Sequence, residues 1–228
     1  MHTGDVTARL AELLLGARCP GCGAPGMGAC AACAAGLRRM QPFGVGGLPD
    51  GLPPVTAAGA YADTLRAVLL AAKERNALGL LPLLGGRLAA AVARLVLDAG
   101  GIPSLVLVPV PSASAQVAAR GVDLTTSIAR TAAARLRSAG LAVEVLRGLV
   151  LARRPEDQAG LTRIQRLANR AGAFRAVGPP PSGPVVVVDD IVTTGATLAE
   201  AVRACEVGDR QVIGAAVVAA TMRGGGAR

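Results

Sequence analysis

Tryptophan is absent from the 228 residues, and one tyrosine and two phenylalanines leave aromatics at 1%. A core without large rings must be built from Ala, Val and Leu, which an apolar fraction of 52% supplies. The same lack weakens any nucleic-acid reading that rests on base stacking. Lysine is nearly missing too: of the 24 basic residues only Lys73 is not an arginine. With the composition drifted to arginine, most arginines are expected on solvated faces. The single histidine, His2, stands far from any motif, and its expected setting is a disordered terminus. No uninterrupted apolar run reaches the ~20 residues of a membrane helix, because Arg87, Arg94 and Asp98 break the longest candidate. The leucines at 13 to 15 are bounded by Glu12 and Arg18 and lack a small-residue cleavage pattern, so no signal peptide is expected. The expectation is a soluble, cytoplasmic protein without membrane insertion. What is present in excess is positive charge, +9 formally, which favours anionic partners without choosing between phosphorylated ligands and nucleic acid.

Four of the five cysteines form two CxxC pairs, Cys19 with Cys22 and Cys30 with Cys33. Each two-residue spacer lets both thiolates turn towards one ion, and four such soft ligands make a tetrahedral Zn(II) site. Gly21, Gly23, Gly26 and Gly28 supply the tight backbone that metal knuckles need. Two disulfides of a secreted module are the rival reading, disfavoured by the lack of a signal peptide. So short a module buries little surface, and metal binding should largely drive its folding, for a structural or partner-docking role. Cys205, in an apolar helical stretch, reads as a small buried hydrophobe.

Gly and Pro enrich the segment from Gln41 to Pro54, which reads as a linker. This divides the chain into a metal module with its linker, residues 1–50, and a second domain, 51–228. In the second, strands are expected at Val55 to Tyr61, Leu105 to Val110, Ala142 to Leu151, Val185 to Asp190 and Gln211 to Ala220. Helices are expected at Asp63 to Arg75, Leu78 to Ala99 (around Gly85 and Gly86), Asp123 to Ser138 and Gly195 to Cys205, with a short piece around Leu161 to Asn169. The alternation predicts an α/β fold with a parallel sheet flanked by helices.

The valines at 185 to 188 mark a strand covered on both faces, and polar residues begin where it should end. Ligands of open α/β sheets bind at such carboxyl ends. Thr193, Thr194, Gly195 and Thr197 then offer hydroxyls and a glycine backbone at a helix start, whose N–H groups and positive dipole end attract phosphate. The Gly-Lys-Ser/Thr of a nucleotide P-loop is missing, and Asp189 and Asp190 would repel a phosphate set against them. A ribose 5-phosphate resolves the conflict, with its phosphate in the Thr-Thr-Gly loop and its 2′ and 3′ hydroxyls donating to the carboxylates. An ordinary strand-to-helix turn capped by the acidic pair is the plain alternative.

The stretch Asp189, Asp190, Ile191, Val192, Thr193, Thr194, Gly195, Ala196, Thr197 resembles the phosphoribosyl-diphosphate motif of type I phosphoribosyltransferases. From Cys19 to Thr221 the chain resembles the ComF family, in which a cysteine-rich zinc module precedes such a domain. The likeness includes Tyr61, Leu65, Arg66 and Lys73, the run Val108, Pro109, Val110, Pro111, the pair Arg120 and Gly121, and the series Gln158, Leu161, Thr162, Arg163, Arg166, Asn169 and Phe174. It implies that phosphoribosyl diphosphate is held with Mg(II), its pyrophosphate on the backbone of Pro109, Val110, Pro111 and Ser112. Lys73 suits a pyrophosphate oxygen as a compact point charge, or is a chance survivor of the drift to arginine. Arg120 could reach the same anion, or is a surface arginine at a helix start. The arginines between Arg153 and Arg170 could serve a basic lid or a nucleic-acid contact, or a solvated face. One departure stands out: after Gly121 the family pattern continues with an aromatic, Asn and Gln, whereas this chain has Val122, Asp123 and Leu124.

The activity implied is displacement of pyrophosphate from ribose C1 by a nitrogenous acceptor, with Asp189 and Asp190 countering the developing positive charge. A second expectation is non-catalytic: a competence or DNA-uptake protein that meets single-stranded DNA and helicase-like or DNA-repair partners.

Overall fold

The structure, a computed structural model, describes residues 17–112, 121–152 and 172–222. Arg120, the segment from Arg153 to Arg170 and His2 lie outside the described residues.

Near the N-terminus, helix α1 (Ala31–Arg39) follows directly on Cys30. Strand β1 (Phe43–Gly44) comes next and pairs antiparallel with β2 (Val55–Ala57). The segment expected as a linker therefore contributes an edge strand, and Phe43, Val45, Leu48 and Leu52 pack on the core. Helix α2 (Asp63–Glu74), a 3-10 turn (Leu78–Leu80) and α3 (Leu81–Asp98) lead to β3 (Ser104–Pro109). Helix α4 (Leu124–Ser138) starts at the N-cap Asp123, whose carboxylate accepts from the Thr126 backbone N–H at 3.3 Å and from its hydroxyl at 2.7 Å.

The single strand expected at Ala142 to Leu151 is two: β4 (Ala142–Val145) on the main sheet and β5 (Leu149–Leu151), which pairs antiparallel with β6 (Phe174–Ala176) in a separate ribbon. The break falls at Arg147 and Gly148, where the chain leaves the sheet edge. Strand β7 (Val185–Val192) runs two residues further than expected and takes in the whole acidic pair. Helix α5 (Ala196–Val207) and β8 (Val212–Ala220) close the sheet.

The main sheet has the order β1-β2-β8-β7-β3-β4, parallel except for the edge strand β1. Side chains alternate across a strand. Val186 and Val188 accordingly join the core under α2, α3 and α4, and Val185 and Val187 join the core under α5. All four valines are fully buried, as the apolar run predicts.

Residues Leu78–Asp98 are long and apolar enough, by length and composition, to cross a membrane. Here they form a core helix: Leu84, Leu88, Val92 and Leu95 are buried, and α3 packs on α4 and β8. Gly85 permits the close approach to α4, since a Cβ there would sit 2.5 Å from the Thr131 side chain.

Not every arginine lies on a solvated face. Arg87 and Arg210 are each only 3% exposed. Arg87 donates from its Nη atoms to the carbonyls of Arg38 at 3.3 Å, of Met40 at 2.7 Å and of Ala58, tying the end of α1 to the sheet. Burial holds its guanidinium below the ordinary arginine range. Arg210 binds the carbonyls of Val177, Gly178 and Gly208, which closes the turn before β8. In both, backbone carbonyls replace water around a buried cation.

Candidate functional site

The crossover after β3 runs through α4 to β4, away from β7. The crossover after β7 runs through α5 to β8, in the opposite direction and on the opposite face. The carboxyl ends of β3 and β7 are thus the point where the winding reverses, the crevice in which open α/β sheets bind ligands. Two segments flank it, 109–112 after β3 and 193–195 after β7.

Asp190 shares the α2 side of β7 with Val186 and Val188. It is 7% exposed, and its Oδ2 lies 2.6 Å from Lys73 Nζ on α2. The sole lysine therefore meets a carboxylate here. Asp189 points to the other face and is half-buried, with its Oδ1 accepting the Asp190 backbone N–H at 2.8 Å. The strand's two-residue pleat, kept from Val185 through Asp190, divides the acidic pair between the two faces.

Ile191 and Val192 serve the two cores rather than the crevice surface. Beyond them, Thr193 is exposed and Thr194 half-buried, and Gly195 is the N-cap of α5 at φ 81°. That conformation favours glycine, and the packing does as well: a Cβ on Gly195 would sit 2.8 Å from Pro49 Cδ and 3.0 Å from Leu48 Cδ2. The segment between β1 and β2 thus backs the loop. Glycine brings no capping side chain, and the Ala196 N–H donates to the Thr194 hydroxyl at 3.4 Å. With Thr197 in its first turn, the helix directs its positive end and backbone donors at the crevice.

On the β3 side, Pro109 aligns with Val188, and the Val110 N–H donates to the Val188 carbonyl at 2.9 Å. Pro109 and Pro111 have no N–H to offer an anion, and that of Val110 is used by the sheet. Of the four backbone positions expected to meet pyrophosphate, Ser112 is the one whose N–H makes no backbone hydrogen bond among the described residues. Its hydroxyl donates to Asp123 Oδ1 at 3.2 Å. Asp123, one of the three residues that depart from the family pattern, thus caps α4 and anchors this loop at once. The departure alone did not reveal this; an Asp three residues before Thr126 at a helix start is the signal that could have.

The four cysteine sulfurs at 19, 22, 30 and 33 all lie within 4.8 Å of one another, and the thiols are free. Cys22 and Cys30 Sγ are 3.6 Å apart. A tetrahedral shell with metal–sulfur bonds of about 2.3 Å sets its sulfurs about 3.8 Å apart, so the cluster is positioned to bind a metal ion. Burial raises the Cys19 thiol, but N–H groups of Cys30, Cys22 and Gly21 outweigh it and bring it down to about 6. Gly21 has no side chain where the Cys33 sulfur lies, 2.9 Å from where its Cβ would be. Cys205, by contrast, is fully buried, and burial pushes its thiol up to about 11.

Residues 87–228 match the family described as phosphoribosyl transferase domain, well over half of the chain, and the chain belongs to that family. Lys73, β2 and the cysteine cluster precede the matched span. The chain matches no curated protein significantly.

Proposed function

We propose that the crevice between β3 and β7 binds phosphoribosyl diphosphate, and that the protein transfers its phosphoribosyl group to a nitrogenous acceptor. The observation that carries this reading is the coincidence, at the winding reversal, of a helix N-terminus capped by Gly195 and a carboxylate pair on the strand before it. The loop from Thr193 to Thr197 would take the 5-phosphate on its N–H groups and hydroxyls. Asp190 keeps one carboxylate oxygen on Lys73 and offers the other to a ribose hydroxyl, and Asp189 meets the ring from its own side. Ser112, held by Asp123, would donate to the pyrophosphate, with Arg120 as a further donor.

The carboxylates of Asp189 and Asp190 are hard oxygen donors of the kind Mg(II) takes. When bound with the diphosphate, Mg(II) supplies neutralisation of the leaving charge. The chain's own residues position the sugar, and the carboxylates stabilise the positive charge that develops at C1 as the bond to pyrophosphate lengthens. In the cysteine cluster the four soft ligands suit structural Zn(II).

The cysteine module, which no step of the transfer requires, supports a second reading. In it the protein is of the ComF type, holds the ligand without turnover, and meets single-stranded DNA or helicase-like and DNA-repair partners. Calorimetric titration with phosphoribosyl diphosphate and Mg(II) tests the shared premise. Wild type should bind, and Asp189→Asn with Asp190→Asn should weaken binding about a hundredfold or more, the cost of two charge-assisted hydrogen bonds. A wild type that does not bind would overturn both readings. Pyrophosphate release on screening bases and amines separates transfer from binding alone.

A further inference from the structure

The cysteine module meets the α/β unit at a cavity of about 330 Å³ whose walls include Arg38, Arg87 and Arg135. The three come from different helices, Arg38 and Arg135 from the last turns of α1 and α4 and Arg87 from the middle of α3. Arg87 binds the Arg38 carbonyl at 3.3 Å, and Arg135 lies over Gly86, where a Cβ would sit 3.3 Å from its Nε. Glycine at 86 therefore lets the Arg135 side chain rest on the α3 backbone.

Among the described residues no carboxylate lines this cavity. The negative helix ends offset part of the charge on Arg38 and Arg135. Arg87, 3% exposed, is offset in part by the carbonyls of Arg38, Met40 and Ala58, but its buried Nε has no hydrogen-bond partner among the described residues. The Arg38 and Arg135 side chains are exposed and water screens them, yet three like charges with no carboxylate between them still favour an anion. The remaining wall is largely apolar, with Leu80, Pro82 and Leu83.

We propose that this junction cavity binds a small phosphomonoester with an apolar body, its phosphate on Arg38 and Arg135 above the fixed charge of Arg87 and its body on Leu80, Pro82 and Leu83. A phosphomonoester carries about −1.5 to −2 charge at neutral pH, and guanidinium forks pair with its oxygens two at a time. The volume is at the lower end of small-ligand pockets, about 300–1,000 Å³, and exceeds what a bare inorganic ion fills. The cavity shares no residue with segments 109–112 or 193–197, so the inference stands apart from the reading of the crevice.

The test titrates the zinc-loaded full chain with adenosine 5′-monophosphate and with inorganic phosphate, following the arginine Nε–H resonances and the backbone amides of residues 193–197 by NMR. The monophosphate should shift the Nε–H signals of Arg38, Arg87 and Arg135 saturably and bind about tenfold tighter than inorganic phosphate. The double substitution Arg38→Ala, Arg135→Ala should weaken that binding about tenfold or more, leaving any amide shifts at 193–197 with their wild-type midpoint. Both side chains are exposed, so the fold should survive their loss, which thermal unfolding checks. Arginine signals that stay still at millimolar ligand, unchanged affinity in the double variant, or equal affinity for the two probes would each overturn the proposal.

Discussion

The cysteine cluster and the crevice at β7 bring their chemistry together by opposite means. In the module, four sulfurs from two glycine-rich turns and the start of α1 lie within 4.8 Å of one another, with little beneath them. Among the described residues, Cys19, Ala34 and Leu37 are the buried apolar ones there. At the crevice, each group stands at the end of a strand whose valines are fully buried on both faces. The first arrangement is expected to need an ion to hold it, and the second to rest on the packed sheet behind it. A ligand site can be pre-formed when a sheet supports it, and a module this small has no sheet.

The strongest way to break the comparison is to remove the metal. Chelation, or Cys19→Ser, should release residues 19–39 and cost that module on the order of 10 kcal/mol of binding energy. Hydrogen exchange should show protection lost in α1 and kept in β7 and β8. Equal loss in both would mean that the sheet, too, depends on the ion.

A smaller effect is expected at the backing of the loop from Thr193 to Gly195. Gly195→Ala forces a positive φ on a residue with a Cβ and drives that carbon into Pro49 and Leu48. The cost should be on the order of 3 kcal/mol in denaturant unfolding, with weaker phosphoribosyl diphosphate binding. A neutral result would show that the segment between β1 and β2 is not a firm support.

Next comes Glu200, on α5 and 5% exposed, which accepts from the Phe174 N–H at 3.3 Å and pairs with Arg203 at 2.6 Å. Burial works to raise its carboxyl, but the Arg203 hydrogen bonds and the backbone donors prevail and hold it below its ordinary value of 4.5. A depressed folded value means this stability is present above the ordinary value and is lost as pH falls through the lower folded one. Glu200→Gln should remove about 1–3 kcal/mol at pH 7 and flatten the acid limb of the stability curve. An unchanged acid limb would exclude this pair as its source.

Smallest is Asp123→Ala, which removes the cap of α4 and the acceptor of Ser112. About 1 kcal/mol of stability should go, together with some affinity for pyrophosphate but not for ribose 5-phosphate. Equal losses for the two ligands would place the effect in the fold rather than in the loop after β3.

Much of this was legible in the chain itself. The spacing of Cys19, Cys22, Cys30 and Cys33 announced a cluster because a two-residue spacer is a local constraint. The valines before Asp189 announced a central strand because burial on both faces leaves no polar position. Less legible was where strands stop: β7 carries on to Val192 because β8 continues to pair with it, a partner 28 residues away at Ala220. The strand expected to reach Leu151 divides instead, at Arg147 and Gly148, because the edge of the main sheet ends there and β6 offers another partner. Arg87 looked like one more surface charge among many, since nothing in its neighbours shows that carbonyls from positions 38, 40 and 58 would surround it.

By itself, then, the sequence determined which residues are the candidates for the chemistry: four thiols, an acidic pair, a threonine and glycine loop, and one lysine. These are set by side-chain type and short spacing, which act within a few residues. Only the tertiary structure decided that Lys73 meets Asp190 rather than standing alone, that Asp123 holds Ser112, and that three arginines from three helices converge on one cavity. Each depends on distances across the fold, and charge interactions follow separation in space rather than separation along the chain.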